Sequence, residues 1–309
     1  MTDLERPSSG SSDPRESLRK RVFVAGAGLM GSGIAAQSAL AGYAVTLEDV
    51  NPSLVERGLE RTRKALEHAQ RRGSIPMGAP EETLQNIDTA IGLRRVNTAQ
   101  IVVEAVPENL ELKRELFREI EATADPQALL ATNTSSLPIT SIASALQDPG
   151  RLVGIHFFNP VLQMELVEII PGHRTRPEPT AAAEAFAKSL GKTVVHSTDS
   201  PGFVTTRAIG VLVNEAAWIL SEGVSTREEI DTAYKLGFHH PMGPFELADL
   251  VGLDTVVAIL DVLWDGFRDT KYRACPLLRR LVEAGKLGRK SGEGFYVYPP
   301  RAEPARGTG

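Results

Sequence analysis

The chain has 309 residues and a mass of 33.4 kDa, which is long for one core and comfortable for two domains. Apolar residues make up 42% and charged residues 24%, which excludes wholesale disorder, and a net charge of −5 argues against non-specific nucleic-acid binding as the main role. A single cysteine, Cys275, excludes an intrachain disulfide and a Cys-rich zinc site; no metal site is expected, and no apolar run reaches the roughly 18–20 residues of a spanning helix.

Residues 1–20 hold Ser, Pro, Gly and mixed charge and read as a disordered lead-in. They contain no secretory apolar core, and Asp3, Glu5, Asp13 and Glu16 do not suit a mitochondrial presequence, so the expected compartment is the cytoplasm. Arg21 to Ala25 is a short β-branched run followed at once by glycines. Ile34 to Leu40 carries the small and apolar residues of a close-packed helix, and Ala44 to Asp49 reads as a second strand, completing a βαβ unit. A charged helix is expected over Pro52 to Arg72. Further strands are expected over Ile101 to Val106, Ala128 to Thr132 and Leu152 to Phe158, with a helix from Leu110 to Ala124 between the first two. The alternation predicts an α/β domain with a Rossmann-type, doubly wound parallel sheet over residues 21–199. After the boundary near Ser197 to Gly202, helical spacing from Val204 to Leu220, a capping box at Ser225 or Thr226 with Glu228 or Glu229, and helices over Leu250 to Trp264 and Leu277 to Ala284 predict an all-α domain spanning 200–298. Residues 299–309 read as a tail.

The glycine turn Gly26-Ala-Gly28-Leu29-Met30-Gly31 follows a strand and opens a helix. Gly26 suits a tight turn, Gly28 a close approach of pyrophosphate to backbone, and Gly31 tight helix–strand packing. Asp49 ends the second strand about 20 residues on, where an acid accepts from both ribose hydroxyls and repels a 2′-phosphate, so NAD is the expected cofactor. Glu48 is expected on the opposite face, merely solvated.

A second constellation is His156-Phe-Phe-Asn159-Pro160, then Met164-Glu-Leu-Val-Glu168. If the chain turns around residue 162, antiparallel pairing sets 156 opposite 168. A carboxylate on one imidazole nitrogen selects the tautomer and makes the other nitrogen a better base, which is what oxidation of an alcohol requires. A histidine beside two phenylalanines also reads as a satisfied core residue. Glu168 within an apolar strand needs a partner, which favours the pair. Ser135 and Ser136 follow the strand ending at Thr132 and suit either a ligand contact at the sheet's carboxyl edge or a helix cap before Ile139.

These residues occur in order with Val103-Glu-Ala-Val-Pro-Glu108-Asn109, Asn133-Thr-Ser135-Ser, Asp199-Ser-Pro-Gly-Phe203, His240-Pro-Met-Gly-Pro244, Ala248-Asp-Leu-Val-Gly252-Leu-Asp254 and Gly288-Arg-Lys-Ser-Gly-Glu-Gly-Phe-Tyr296. From Arg21 to Tyr298 the chain closely resembles the short-form 3-hydroxyacyl-CoA dehydrogenases, the 3-hydroxybutyryl-CoA group above all. The resemblance implies an NAD-binding domain, a helical dimerisation domain and NAD-dependent oxidation of an L-3-hydroxyacyl-CoA, with the active site between the domains and a homodimer as the assembly. It implies His156 as general base, Glu168 as its orienting carboxylate and Ser135 as a hydrogen-bond partner of the substrate oxygen. Glu108, Lys113, Ser135 and Asn159 match positions that contact the cofactor; read alone, Glu108 and Lys113 also suit a solvated helix start and Asn159 a turn.

One position departs: Thr206 stands where the family usually has an Asn facing the substrate, which implies altered substrate preference or slower turnover. Asn214, eight residues on, still matches. Arg57, Arg61, Lys64, His68 and Arg71 share one helical stripe. By resemblance the stripe borders the nucleotide of coenzyme A, with Arg61 and Lys64 as substrate contacts; alternatively it is a solvated face paired with Glu56, Glu60 and Glu67. A dehydrogenase of free hydroxy acids, one acting on a carrier-protein-bound acyl group, and a non-catalytic nucleotide-binding protein are the alternative functions.

Overall fold

The structure is a computed structural model that describes residues 20–299 and divides into two compact units, residues 20–134 with 138–199, and residues 135–137 with the chain from 200 onward. The expected tails lie almost wholly outside the described residues. The first unit is built on one eight-stranded sheet in the order β3-β2-β1-β4-β5-β6-β7-β8. The strands are β1 (Arg21–Ala25), β2 (Ala44–Asp49), β3 (Ile87–Ile91), β4 (Ile101–Glu104), β5 (Leu129–Thr132), β6 (Leu152–Phe157), β7 (Leu166–Pro171) and β8 (Thr193–His196). All neighbours are parallel except β6 and β7. Strands β4, β5 and β6 are buried at every position, which is why they read as continuous apolar runs. The edge strands β3 and β8 are exposed at most positions, and their mixed patterns gave no strand signal.

Helices α1 (Leu29–Leu40), α2 (Pro52–Arg71), α3 (Ala79–Leu84), α4 (Leu110–Thr123), α5 (Ile139–Ala143) and α6 (Pro177–Ser189) belong to this unit. Helix α1 begins five residues before the expected Ile34. Its glycines are poor helix formers by themselves, but Gly31 packs on the turn before it, and a Cβ at Gly33 would stand 2.8 Å from the Val161 side chain. Packing thus overrides propensity there. Helix α2 is capped by the Asn51 side chain accepting from the Leu54 N–H at 3.0 Å. It buries Val55, Gly58, Thr62, Leu66 and Ala69 as one stripe.

The second unit holds α7 (Thr205–Ser221), α8 (Arg227–Gly237), α9 (Pro244–Val251), α10 (Leu253–Phe267) and α11 (Pro276–Glu283). Thr226 and Glu229 form the capping box of α8. The helix expected over Leu250 to Trp264 is instead two, because Gly252 takes a φ of +102° between α9 and α10. Asp249, 1% exposed, organises the C-terminal segment: its carboxylate accepts from the N–H groups of Phe295 and Tyr296 at 2.9 Å each and from the Tyr298 hydroxyl at 3.0 Å. A Cβ at Gly294 would fall 2.0 Å from its Oδ1, so the glycines of that segment are a steric requirement of the buried acid. Asp231 does the same for α9, accepting from the Phe245 and Glu246 N–H groups at 2.8 and 3.2 Å, and burial raises its carboxyl above the ordinary range.

Candidate active site

Strand order reverses at β1, whose neighbours are β2 and β4, and the glycine loop leaves β1 at this switch point. Gly26 has a φ of +102°, and a Cβ there would lie 2.7 Å from the Ala105 carbonyl oxygen. A Cβ at Gly31 would stand 1.8 Å from the Gly26 carbonyl oxygen, so only glycine lets α1 approach its own turn. Gly28, the N-cap of α1, has open space where its Cβ would be, and no side chain of its own caps the helix. The first-turn N–H groups of Leu29, Met30 and Gly31 therefore meet a cradle shaped for an anionic group. Asp49 Oδ2 accepts from the Ala27 N–H at 2.9 Å and Oδ1 from the Val50 N–H at 2.7 Å. Each oxygen retains a second lone pair for a ribose hydroxyl. The loop, the open N-cap and the carboxylate together fit a dinucleotide.

Glu48 is not solvated as expected. Its side chain is buried and accepts from the Gly92 N–H at 3.1 Å, and burial, assisted by the Asp49 charge, pushes its carboxyl up to about 7. The turn after the unforeseen β3 supplies that N–H, so the burial was not readable from β2 alone.

The basic stripe of α2 is exposed throughout, and its members part company. Lys64 pairs with Glu60 at 3.2 Å and Arg71 with Glu67 at 3.8 Å, as expected of a solvated face. Arg61 turns back, its Nη1 donating to the Ala27 carbonyl at 3.3 Å, which sets a guanidinium beside the glycine loop.

The β6–β7 pairing sets His156 opposite Glu168, and His156 Nδ1 lies 2.7 Å from Glu168 Oε2. The imidazole is 5% exposed and the carboxylate 0%. Facing an ionised carboxylate, Nδ1 carries the proton of the neutral ring, so the lone pair lies on Nε2. The Phe158 ring packs 4.5 Å from the imidazole, centroid to centroid. Lys192, also buried, fastens the turn joining the two strands: its Nζ donates to the carbonyls of Val161 at 2.6 Å and Met164 at 2.9 Å. Asn159 is exposed in that connection, ahead of the cis Pro160.

At the β4–β5 edge the solvated-helix reading fails for Lys113, which is 1% exposed. Its Nζ donates to Glu104 Oε1 at 2.6 Å and to the Val106 carbonyl at 3.2 Å, and lies 3.4 Å from Glu108 Oε2. Glu108, more exposed, accepts from the Thr134 hydroxyl at 2.5 Å. Sequence reasoning missed Glu104, although it carries the same signal as Glu168: an acid in an apolar strand. Asn133 Oδ1 accepts from the Phe157 N–H at 2.9 Å and holds β5 to β6. Helix α5 starts after Pro138 and is capped by Asp199, which accepts from the Ile139 and Thr140 N–H groups at 2.8 and 2.7 Å. The N–H groups that a Ser135 or Ser136 cap would satisfy are thus taken by a residue 60 positions from Ile139.

In the second unit, Ser135 lies half-buried in the segment 135–137 and Thr206 is buried in the first turn of α7. Asn214 spends its amide on the chain at Arg273 and Cys275, donating to one carbonyl at 3.0 Å and accepting one N–H at 2.8 Å.

A dinucleotide cradle at a switch point and an imidazole–carboxylate pair on the same sheet define a nucleotide-dependent dehydrogenase. Residues 21–200 match the family model of the 3-hydroxyacyl-CoA dehydrogenase NAD-binding domain and residues 202–298 that of its C-terminal domain. The chain belongs to the 3-hydroxyacyl-CoA dehydrogenase family. It is 46% identical over 279 residues to a probable 3-hydroxybutyryl-CoA dehydrogenase of Bacillus subtilis, covering 90% of this chain and 97% of that one. It is 45% identical to the 3-hydroxybutyryl-CoA dehydrogenase of Bradyrhizobium diazoefficiens, covering 90% and 95%. The crystal structure of (S)-3-hydroxybutyryl-CoA dehydrogenase PaaH1 from Ralstonia eutropha superposes with a TM-score of 0.86 at 39% identity, covering 91% of this chain and 99% of that one.

Proposed function

We propose that this enzyme oxidises a short-chain L-3-hydroxyacyl-CoA, such as 3-hydroxybutyryl-CoA, reversibly to the 3-ketoacyl-CoA. The observation that carries this reading is the 2.7 Å contact between His156 Nδ1 and Glu168. Glu168 holds the ring by its Nδ1–H, so Nε2 takes the proton of the substrate hydroxyl, and the carboxylate then faces the imidazolium that forms. When bound, NAD supplies the hydride acceptor. The helix start at Leu29 to Gly31 and the Asp49 carboxylate bind its pyrophosphate and ribose. Glu108, Lys113, Ser135 and Asn159 complete the cofactor contacts, and Ser135 donates to the substrate oxygen. Arg61, beside the glycine loop, and Lys64, once released from Glu60, supply the contacts to the phosphates of the coenzyme A moiety. Among the described residues no helix is long and apolar enough to cross a membrane; the proposed setting is the cytoplasm, and the proposed assembly a homodimer.

Thr206 favours a second reading, in which the acyl group departs from hydroxybutyryl: its hydroxyl is shorter than the Asn amide it replaces. A spectrophotometric NADH assay with acetoacetyl-CoA, longer and carboxylated analogues, and free hydroxy acids tests both. Turnover confined to free acids defeats the thioester reading, and NADH binding without turnover on any of them defeats the enzymatic one.

A further inference from the structure

We propose that Glu104 is a positioning residue for the dinucleotide, acting through Lys113 and the segment Ala105 to Glu108; the inference rests on the dinucleotide reading above. Glu104 ends β4 with its carboxylate wholly buried. It accepts three hydrogen bonds: from the Thr132 hydroxyl at 2.6 Å, Lys113 Nζ at 2.6 Å and the Val106 N–H at 2.7 Å. Lys113, from the first turn of α4, donates in addition to the Val106 carbonyl. Both backbone polar groups of Val106 are therefore held by one buried ion pair.

The location gives this pinning a consequence. Strands β1 and β4 are the neighbours between which a nucleotide crevice opens, one wall being the glycine loop and the other the chain after Glu104. The walls touch: a Cβ at Gly26 would stand 2.7 Å from the Ala105 carbonyl oxygen and 3.0 Å from the Val106 nitrogen. The depth of the crevice is thus set by where Glu104 and Lys113 hold Val106. The same ammonium lies 3.4 Å from Glu108, which accepts from Thr134 on the next strand's exit, so the partition of Lys113 between two carboxylates also orients Glu108. A buried ion pair is costly to desolvate and is no more stabilising than apolar residues of the same volume, so stability alone does not explain its presence at this spot. With Glu104→Gln the ammonium loses its nearer anion and turns to Glu108, drawing Glu108 away from Thr134.

The test uses the purified full-length chain. NADH affinity is read by fluorescence titration, with the KM for acetoacetyl-CoA and the thermal midpoint measured beside it. Glu104→Gln should weaken NADH binding by about tenfold or more, since small displacements of positioning groups have effects of this order, while the KM for acetoacetyl-CoA stays within about twofold. In a Lys113→Met background the same substitution should have a much smaller effect, because its partner is already gone. Thr132→Val, which removes one donor to Glu104, provides a milder version should Glu104→Gln fail to fold, with a loss of a few-fold. A folded Glu104→Gln or Thr132→Val protein with wild-type NADH affinity overturns the role of Glu104, as does an effect that is equal with and without Lys113. Failure of the wild-type chain to bind NADH overturns the dinucleotide reading itself.

Discussion

His156 and Glu168 are twelve residues apart in the chain and directly opposed across the β6–β7 ladder, with a nitrogen and an oxygen 2.7 Å apart. The antiparallel register alone aims one side chain at the other, and the burial of both keeps water from competing for the bond. Glu168→Gln preserves shape but removes the charge that faces the imidazolium. Its kcat for acetoacetyl-CoA should fall by roughly 10²-fold and that of His156→Ala by roughly 10²–10⁴-fold. NADH binding should be nearly unchanged in both. Joint loss of turnover and NADH binding in His156→Ala would mark a structural histidine instead.

Asp49 spends one lone pair of each carboxylate oxygen on the backbone of Ala27 and Val50, so the group is rigidly placed. Asp49→Asn keeps one of those two bonds, since its amide nitrogen cannot accept from the other N–H, and removes the repulsion of a 2′-phosphate. The NADH-to-NADPH ratio of kcat/KM should fall by about tenfold or more, one lost charge interaction of roughly 1.4 kcal/mol. An unchanged ratio would show that discrimination lies elsewhere, Arg61 beside the same loop being the next residue to vary.

Glu48 gives the fold a pH dependence of defined sign. Its carboxyl titrates at about 7 in the folded chain against an ordinary value of 4.5, chiefly because it is buried and secondarily because Asp49 is adjacent. Between these values the folded state holds a proton that the unfolded chain has released, so this group lowers stability as pH rises from about 4.5 to about 7, with no further change above. Glu48→Gln abolishes that decline. The difference in thermal midpoint between variant and wild type should therefore shift in favour of the variant from pH 5 to pH 8. Parallel curves would mean that Glu48 is not buried as described.

Thr206 sits buried in the first turn of α7. Thr206→Asn should change relative kcat/KM among acyl-CoA substrates by several-fold, a single hydrogen bond contributing about 1 kcal/mol. An identical substrate profile removes Thr206 from the determinants of specificity.

Much of the site was legible in advance because its signals are local. The glycine loop, Asp49 and the 156–168 register depend on spacing within one βαβ unit or one hairpin, and a two-residue side-chain period leaves only one register that buries Glu168 against a partner. The stripe of α2 was legible as a stripe, but not the divergence of Arg61 from Lys64. That follows from Gly58, whose missing side chain lets the helix close on Ala27.

By itself, the order of apolar runs, glycines and acids determined the α/β-then-helical architecture, the dinucleotide loop and the histidine–glutamate pair. Only the tertiary structure decided the fates of Glu48, Glu104, Lys113, Asp199 and Asp249. Four of them draw partners from segments remote in sequence: the Gly92 turn for Glu48, the β5 edge for Glu104, Ile139 and Thr140 for Asp199, and the chain after Leu287 for Asp249; Lys113 is paired nearer by, with Glu104 nine residues away. A buried charge persists only where donors converge on it, and that convergence is a property of packed strands and turns which no local pattern of residues encodes.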